Sequence, residues 1–219
     1  MGKKILHVVN ISFVIPYYLG EQIDYFNSKG HSIIIACSPS EDFFEYSIKK
    51  SFTPLPLEIK RSFSIINDLI AIFKLTLYLK NNSVDTVVGH TPKGAFIALI
   101  SASLAGISNR IYFRHGLMFE TSKGIKRRAL IFIEKFTAML STQVISVSSS
   151  VLEKSNKLKL SSPKKNKILH QGTCNGIDAI SQFNPLKINP IRINSLKDQF
   201  GILEKNLVVG YTGRISKDK

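Results

Sequence analysis

Short apolar runs alternate with longer amphipathic segments over most of the chain. The first run, 4–10, is apolar and β-branched, and in the second, 31–37, Ile33, Ile34 and Ile35 are consecutive. Uninterrupted apolar runs of this kind are typical of strands buried on both faces of a parallel sheet. The alternation repeats six or seven times along the chain. It predicts an α/β fold with an open, Rossmann-like, doubly wound and mostly parallel sheet that carries helices on both faces.

Periodicity and end signals place the individual elements. Gly30 and Gly106 follow helical segments and predict their C-terminal ends, while Ser148 to Ser150 predict the N-terminal cap of another helix. The predicted strands are 4–10, 31–37, 52–57, 84–89, 110–113, 143–147 and 167–170, and the predicted helices are 17–29, 41–50, 64–81, 93–105, 124–140, 148–158 and 194–200.

The regular pattern weakens after Asp178, where the pairs Asn184-Pro185 and Asn189-Pro190 interrupt it. We therefore expect one Rossmann-like domain over 1–180 and a connector over 181–205. Residues 206–219 contain an apolar run and a glycine turn, and they are predicted to be the first strand and the start of a phosphate loop of a second domain. Because a strand needs a sheet, the chain is expected to stop inside that second domain.

Composition excludes several classes of protein. A hydrophobic fraction of 44% is that of a globular protein, and Cys37 and Cys174 provide neither a disulfide framework nor metal-ligand spacing. A reducing cytoplasmic setting is the default for such cysteine usage. The longest uncharged apolar stretch, 94–109, is shorter than the roughly 20 residues of a membrane span. We expect a cytoplasmic protein that is soluble or at most peripheral on the membrane.

The net charge of +15 is concentrated in the second half of the chain. Residues 1–109 contain ten basic and eight acidic side chains, whereas 110–219 contain twenty basic and seven acidic ones. The basic half could face phosphates of nucleic acid, lipid headgroups or a phosphorylated substrate, or it could be a solvated lysine-rich surface. The stretch from Lys154 to Lys167 contains no aromatic residue, which disfavours binding of single-stranded nucleic acid.

Ligands of parallel α/β sheets bind beyond the carboxyl ends of the strands, so residues there are the candidates for chemistry. No G-x-G-x-x-G follows the first strand, and Gly20 is either a point of close ligand approach or a turn glycine. His90 and Lys93 flank the predicted start of a helix whose free amides would suit an anion, although a lone histidine can be purely structural.

The end of the fifth strand combines a titratable imidazole with a flexible glycine in Arg114-His115-Gly116. Glu120 and the basic cluster Lys126-Arg127-Arg128 follow. A basic run that opens a helix opposes the helix dipole, which favours a binding role, but His115 could equally be a surface histidine. Near the end of the chain, Gly213, Arg214 and Lys219 have the composition of an anion-binding loop.

Taken in order, these segments resemble the amino-terminal half of a GT-B-fold glycosyltransferase of the large retaining family 4, in the subgroup that builds bacterial capsule, O-antigen and lipid-linked oligosaccharides. The segments that carry the resemblance are 4–10, 30–33, 90–94, 114–116 with 119–121 and 123–124, 144–148 with Ser150, Gly172 with 175–178, and Gly213-Arg214 with Lys219.

The resemblance implies a function and a role for several residues. The first domain would bind a polyprenyl-diphosphate-linked or oligosaccharide acceptor, and the second a nucleotide-sugar, expected to be a UDP-sugar, without a metal or other cofactor. His115 matches the cleft histidine of the family and would contact the transferred sugar. The remaining implied site residues are Gly213, Arg214 and Lys219 for the donor diphosphate and Gly20, His90, Lys93, Arg114 and Glu120 on the acceptor side.

Two alternatives stay open at this point. A non-transferring GT-B relative such as a nucleotide-sugar epimerase would need carboxylates near the cleft, for which Glu120 is the obvious candidate. A basic, non-catalytic binding module would use the charge of the second half. The glycine pair usual after the first strand of the family is reduced to Leu19-Gly20, and the E-x7-E motif of the donor domain would lie beyond residue 219, so the chain by itself is expected to be inactive.

Overall fold

A computed structural model describes residues 2–60, 62 and 64–211. The chain divides into two compact units, the first ending at Asn175 and the second beginning at Gly176. The first unit contains one seven-stranded parallel sheet with the strand order β3-β2-β1-β4-β5-β6-β7. The strands are β1 (Lys4–Val8), β2 (Ser32–Cys37), β3 (Thr53–Pro56), β4 (Thr86–His90), β5 (Asn109–Arg114), β6 (Gln143–Ser146) and β7 (Asn166–Ile168).

Helices connect successive strands, as parallel pairing requires. In the first unit they are α1 (Ile15–Tyr18), α2 (Gly20–Ser28), α3 (Glu41–Lys50), α4 (Ile65–Asn81), α5 (Pro92–Leu104), α6 (Gly124–Leu140) and α7 (Ser149–Lys157). The predicted doubly wound α/β fold is thereby confirmed.

The core lies on both faces of the sheet because side chains alternate along each strand. Leu6 and Val8 of β1 pack with α4 and α5 on one face. On the other face, Val9 and the β2 residues Ile33 and Ile35 pack with α1, α2 and α3. The side chain of His7 lies on this second face, although it is a polar group in the middle of a buried strand.

Local sequence explains most element boundaries. The hydroxyl groups of Ser40 and Ser148 accept hydrogen bonds from Phe43 N and Val151 N, and so they cap α3 and α7. The predicted bounds of α3 and α6 agree with the structure. The prolines of β3 lie at the edge of the sheet, where a missing N–H disrupts no inner ladder.

One predicted helix is divided in two. The segment predicted over 17–29 forms α1 and α2, because Leu19 leaves the first helix and Gly20 takes a left-handed φ of 21°. In the second unit, α8 (Pro190–Gln199) starts earlier than predicted, since Pro190 occupies its first turn and Asn189 caps it. The described residues 207–211 form no strand, and the remainder of the predicted final strand and loop lies outside the described residues.

Candidate active site

Three histidines lie on one face of the sheet along a diagonal across neighbouring strands. His7 comes from β1, His90 ends β4 and His115 follows β5. The Nδ1 atom of His7 is 2.9 Å from Nε2 of His90, and Nδ1 of His90 is 2.9 Å from Nε2 of His115. The sheet order places β4 between β1 and β5, so the three rings form a continuous hydrogen-bonded chain, which we call the histidine chain.

Only the last member of the histidine chain reaches the surface. His7 is 5% exposed and His90 1% exposed, whereas His115 is partly exposed at the carboxyl end of the sheet. Burial lowers the pKa of His7 and of His115 to about 4, and burial together with its two histidine neighbours lowers the pKa of His90 well below its usual value. All three rings are therefore neutral at pH 7, and each has one donor and one acceptor nitrogen.

Aromatic side chains hold the exposed end of the histidine chain in place. The Tyr18 ring, at the end of α1, stacks on His115 with a centroid distance of 3.6 Å and an interplanar angle of 9°. Phe113 lies 5.4 Å from His90 and 5.1 Å from His115, also stacked. The His115 imidazole is thus presented in a fixed plane at the strand end, as a substrate-contacting group requires.

Gly20 lies beside the loop that follows β7. A Cβ atom at Gly20 would come within 2.3 Å of Nδ2 of Asn175, so any other residue there would displace that side chain. The loop is also attached by Cys174, whose carbonyl oxygen accepts a hydrogen bond from the Gln22 amide. Gly20 therefore permits close packing of this loop against the start of α2.

The sequence-predicted acceptor residues His90 and Lys93 are buried. Lys93 Nζ forms an ion pair with Asp68 of α4 at 2.8 Å and donates to the carbonyl oxygen of Ser62. The Thr91 hydroxyl group caps α5 by accepting a hydrogen bond from Gly94 N at 3.2 Å. The backbone of Thr91 has a strained φ of 61°. Lys93 therefore connects α5 to α4 and does not line an open surface. His90 contacts His115 through a ring nitrogen from the buried side.

Arg114 is likewise not part of an open acceptor surface. Its side chain is fully buried on the opposite face of the sheet from His115, and its Nε donates to Oε1 of Glu134 on α6 at 2.7 Å. The Tyr112 hydroxyl group donates to the other Glu134 oxygen at 2.9 Å. Arg114 and His115 lie on different faces because adjacent strand residues point to opposite faces, and the acceptor role predicted for Arg114 stays a prediction.

Glu120 remains at the surface, in the short 3-10 helix Met118–Thr121, where it forms an ion pair with Lys154 of α7. Gly213, Arg214 and Lys219 lie outside the described residues, and their predicted role stays a prediction. Among the described residues, no group of His, Cys, Asp and Glu side chains is arranged to hold a metal ion.

Two contributors to the site were not predicted from sequence, His7 and Tyr18. The only signal for His7 was a polar residue within an apolar strand, and its partners became visible only with the strand register. Tyr18 precedes Gly20 by two residues, in a segment without a recognisable motif.

Comparison with known proteins agrees with this architecture. The profile of a family described as "Glycosyl transferase 4-like" matches residues 4–149. The capsular polysaccharide biosynthesis glycosyltransferase CapM of Staphylococcus aureus is 31% identical over the whole chain and 55% of its own length. The UDP-Gal:α-D-GlcNAc-diphosphoundecaprenol α-1,3-galactosyltransferase of Escherichia coli is 27% identical over 83% of the chain and 44% of its own length.

Among solved structures, Anabaena HepE in complex with UDP and glucose superimposes with a TM-score of 0.67 and 18% identity, covering 98% of the chain and 54% of HepE. The chain spans about half the length of the curated relatives it matches. The family profile covers more than half of the chain, from β1 to the start of α7. This protein therefore belongs to the glycosyl transferase 4-like family of GT-B glycosyltransferases.

Proposed function

We propose that the protein carrying this chain transfers a sugar, with retention of configuration, from a nucleotide-sugar to a lipid-linked or polysaccharide acceptor during synthesis of a cell-surface glycan. The observation that carries the proposal is the oriented, partly exposed His115 at the carboxyl end of a parallel sheet in a member of this family. The staphylococcal relative, a glycosyltransferase of capsular polysaccharide biosynthesis, and the E. coli relative, a galactosyltransferase acting on a diphosphoundecaprenol-linked sugar, support the class of acceptor, and the UDP and glucose bound by HepE support the donor.

His115 is suited to hydrogen bonding with a sugar hydroxyl group. Because burial holds its pKa near 4, the imidazole is neutral at pH 7 and does not add a charge to the reacting centre. A neutral ring held in one plane by Tyr18 can donate or accept one hydrogen bond at its free nitrogen without reorganisation during the reaction. This group would orient the transferred sugar or the acceptor hydroxyl group.

The diphosphate of the donor needs cations, and the structure leaves neither Lys93 nor Arg114 at the surface to supply them. Arg214 and Lys219, with Gly213 at the turn, are the residues we propose for this role. Two cations there would neutralise the diphosphate as the glycosidic bond breaks, in place of a metal ion.

We further propose that the enzyme works at an anionic membrane surface, where a lipid-linked acceptor would be found. No helix of the described part of the chain is long and apolar enough to cross a bilayer. α4 instead has apolar side chains on its outer face while a second apolar face packs in the core. The exposed apolar residues of α4 are Ile65, Ile66, Leu69, Ile70, Phe73 and Leu77, and we call them the α4 outer face.

Charge favours an anionic bilayer as the partner of the α4 outer face. Lys74 and Lys80 are exposed on the same helix, whereas its carboxylate, Asp68, is buried against Lys93. An apolar stripe flanked by lysines is the pattern of helices that lie in the membrane interface. This arrangement supports the proposed peripheral location on the membrane.

The activity is tested with the complete protein that carries this chain, a panel of UDP-sugars and a polyprenyl-diphosphate-linked acceptor. We expect sugar transfer with retention, and we expect His115→Ala to lower kcat/KM by about 100-fold or more. His31→Ala is the matched control, because His31 lies outside the histidine chain. In the described structure its Nδ1 accepts a hydrogen bond from the backbone N–H of Lys3. Wild-type rates in the His115 variant, or no transfer from any UDP-sugar, would contradict the proposal.

A further inference from the structure

His7 and His90 are buried too deeply to meet a substrate, yet they are connected to His115 through ring nitrogens. Both nitrogens of His90 are occupied by imidazole partners, Nε2 by His7 and Nδ1 by His115. A neutral imidazole has one N–H and one lone pair, so His90 must donate to one neighbour and accept from the other. The donor direction along the histidine chain is therefore the same at both hydrogen bonds.

This constraint connects the two free ends. If His7 Nδ1 donates to His90, then His90 Nδ1 donates to His115 Nε2, and the remaining proton of His115 lies on Nδ1. In the opposite direction, His115 donates through Nε2, His90 donates to His7, and His115 Nδ1 offers a lone pair. The hydrogen-bonding character that His115 presents is thus linked to the tautomer of His7, two strands away in the sheet.

The surroundings preserve this link. The aromatic rings that stack on His90 and His115 are Tyr18 from α1 and Phe113 from β5. Beyond His7 lies a cavity of about 160 Å³ whose other polar lining residues are Gln22 and Thr86. Burial is the main cause of the lowered pKa of each of the three rings, and at His90 the two histidine neighbours add to it.

We propose that His7 and His90 are positioning residues, which couple the tautomer of His115 to that of His7 through a chain of two N–H···N hydrogen bonds. The catalytic meaning of this link rests on the proposed role of His115 in sugar transfer, but the link itself does not. Its physical basis is that the rings are neutral and that both nitrogens of His90 are hydrogen-bonded to histidines. A change of tautomer in one ring therefore requires a change in all three.

The proposal is tested first on the wild-type chain with ¹⁵N-labelled histidine. At pH 7, long-range ¹H–¹⁵N correlations assign the tautomer of each ring, and couplings between nitrogens across the hydrogen bonds identify the donor of each pair. We expect couplings for both His7–His90 and His90–His115, with one donor direction throughout. Absence of either coupling, or an imidazolium form of any of the three rings at pH 7, would overturn the proposal.

A variant then tests whether His7 controls His115. His7→Leu replaces the imidazole ring by an apolar side chain of similar bulk without nitrogen atoms. We expect the tautomer ratio of His115 to change several-fold in this variant. His31→Leu serves as the control, since that ring does not belong to the histidine chain. An unchanged His115 ratio in folded His7→Leu would refute the link, and if this variant does not fold, the wild-type couplings decide.

The two proposals fail separately. Couplings of one direction in a protein without sugar transfer would uphold the histidine chain and refute the function. Sugar transfer that depends on His115, in a protein without those couplings, would uphold the function and refute the positioning role. In an active enzyme we expect His7→Leu to lower kcat more than it raises KM, because His7 is proposed to act through His115 and not on the substrate directly.

Discussion

At the scale of the residue, the chemistry of the site depends on keeping titratable groups neutral. The histidine chain combines deep burial with hydrogen bonds that imidazole can make only when uncharged. The same burial that orients His115 makes protonation of His7 and His90 unfavourable in the folded protein. The proposed role of His115 and the acid sensitivity of the fold thus have one physical cause.

The acid sensitivity is predictable in sign and range. The pKa of His7 is about 4 in the folded protein and about 6.5 in the unfolded chain. Between these values the unfolded chain binds a proton that the folded protein does not, so the free energy of unfolding rises with pH and stability is lost as pH falls from 6.5 towards 4. We expect His7 to account for about 2 kcal/mol of lost stability between pH 7 and pH 5.

Urea unfolding of wild-type and His7→Leu protein at pH 7 and pH 5 measures this contribution. The variant is expected to show a smaller loss of stability on acidification than the wild type. His31→Leu should retain the wild-type loss, because His31 is outside the histidine chain. Equal acid-induced losses in wild-type and His7→Leu protein would show that His7 is not buried as a neutral ring.

At the scale of the element, two buried ion pairs join helices to the structure. Arg114 and Glu134 connect β5 to α6, and Lys93 and Asp68 connect α5 to α4. Both pairs are buried, and both contain a cation, Lys93 or Arg114, that the family resemblance assigned to the acceptor side. Ion pairs removed from water hold together mainly because an unpaired partner would be costly there.

Removing one partner of the Arg114–Glu134 pair is therefore expected to destabilise the fold more than removing both partners. Glu134→Leu leaves the fully buried Arg114 guanidinium without a carboxylate and is expected to cost about 3 to 5 kcal/mol in the free energy of unfolding. The double variant Arg114→Met with Glu134→Leu removes both charges and should recover much of that loss, as measured by urea unfolding.

An exposed ion pair provides the control. Lys50 and Asp24 connect α3 and α2 at 2.5 Å, with the Asp24 side chain 48% exposed. Asp24→Ala should cost less than about 1 kcal/mol, because solvent screens the pair. If Glu134→Leu were as mild as Asp24→Ala, or the double variant no more stable than Glu134→Leu, burial would not be the reason for the pairing.

At the scale of the whole molecule, charge and exposed apolar surface complement each other. The chain has a net charge of +15, and the α4 outer face presents exposed apolar side chains beside the exposed Lys74 and Lys80 of the same helix. The apolar side chains of the α4 outer face are not needed for the fold, because the core beside α4 is formed by other residues of that helix. A basic molecule with an apolar helix surface is suited to an anionic bilayer.

Membrane binding is checked by sedimentation with vesicles. We expect the protein to sediment with phosphatidylglycerol vesicles at low salt, to bind phosphatidylcholine vesicles much less, and to be released by salt because the attraction is partly screened. Leu69→Glu with Phe73→Glu should abolish binding, whereas Ile48→Glu, at an exposed apolar residue of α3, should not. No binding to anionic vesicles at low salt, or full binding by the double variant, would exclude docking through α4.

Sequence reasoning recovered the alternation of strands and helices, the bounds of α3 and α6, and the resemblance to the family that the profile match confirms. These features are local, because periodicity, caps and turn residues act within a few positions. The position of His115 at the end of an apolar strand is visible in the chain itself, whereas its catalytic role stays a prediction.

Only the tertiary structure decided what each polar side chain contacts. Arg114 and His115 are neighbours in sequence, but one is buried against Glu134 and the other meets Tyr18 at the open end of the sheet. His7 becomes part of the site only because the strand order places β1 beside β4. Local sequence therefore determined the elements and the family, whereas register and strand order, which depend on contacts between distant parts of the chain, determined which side chains form the site.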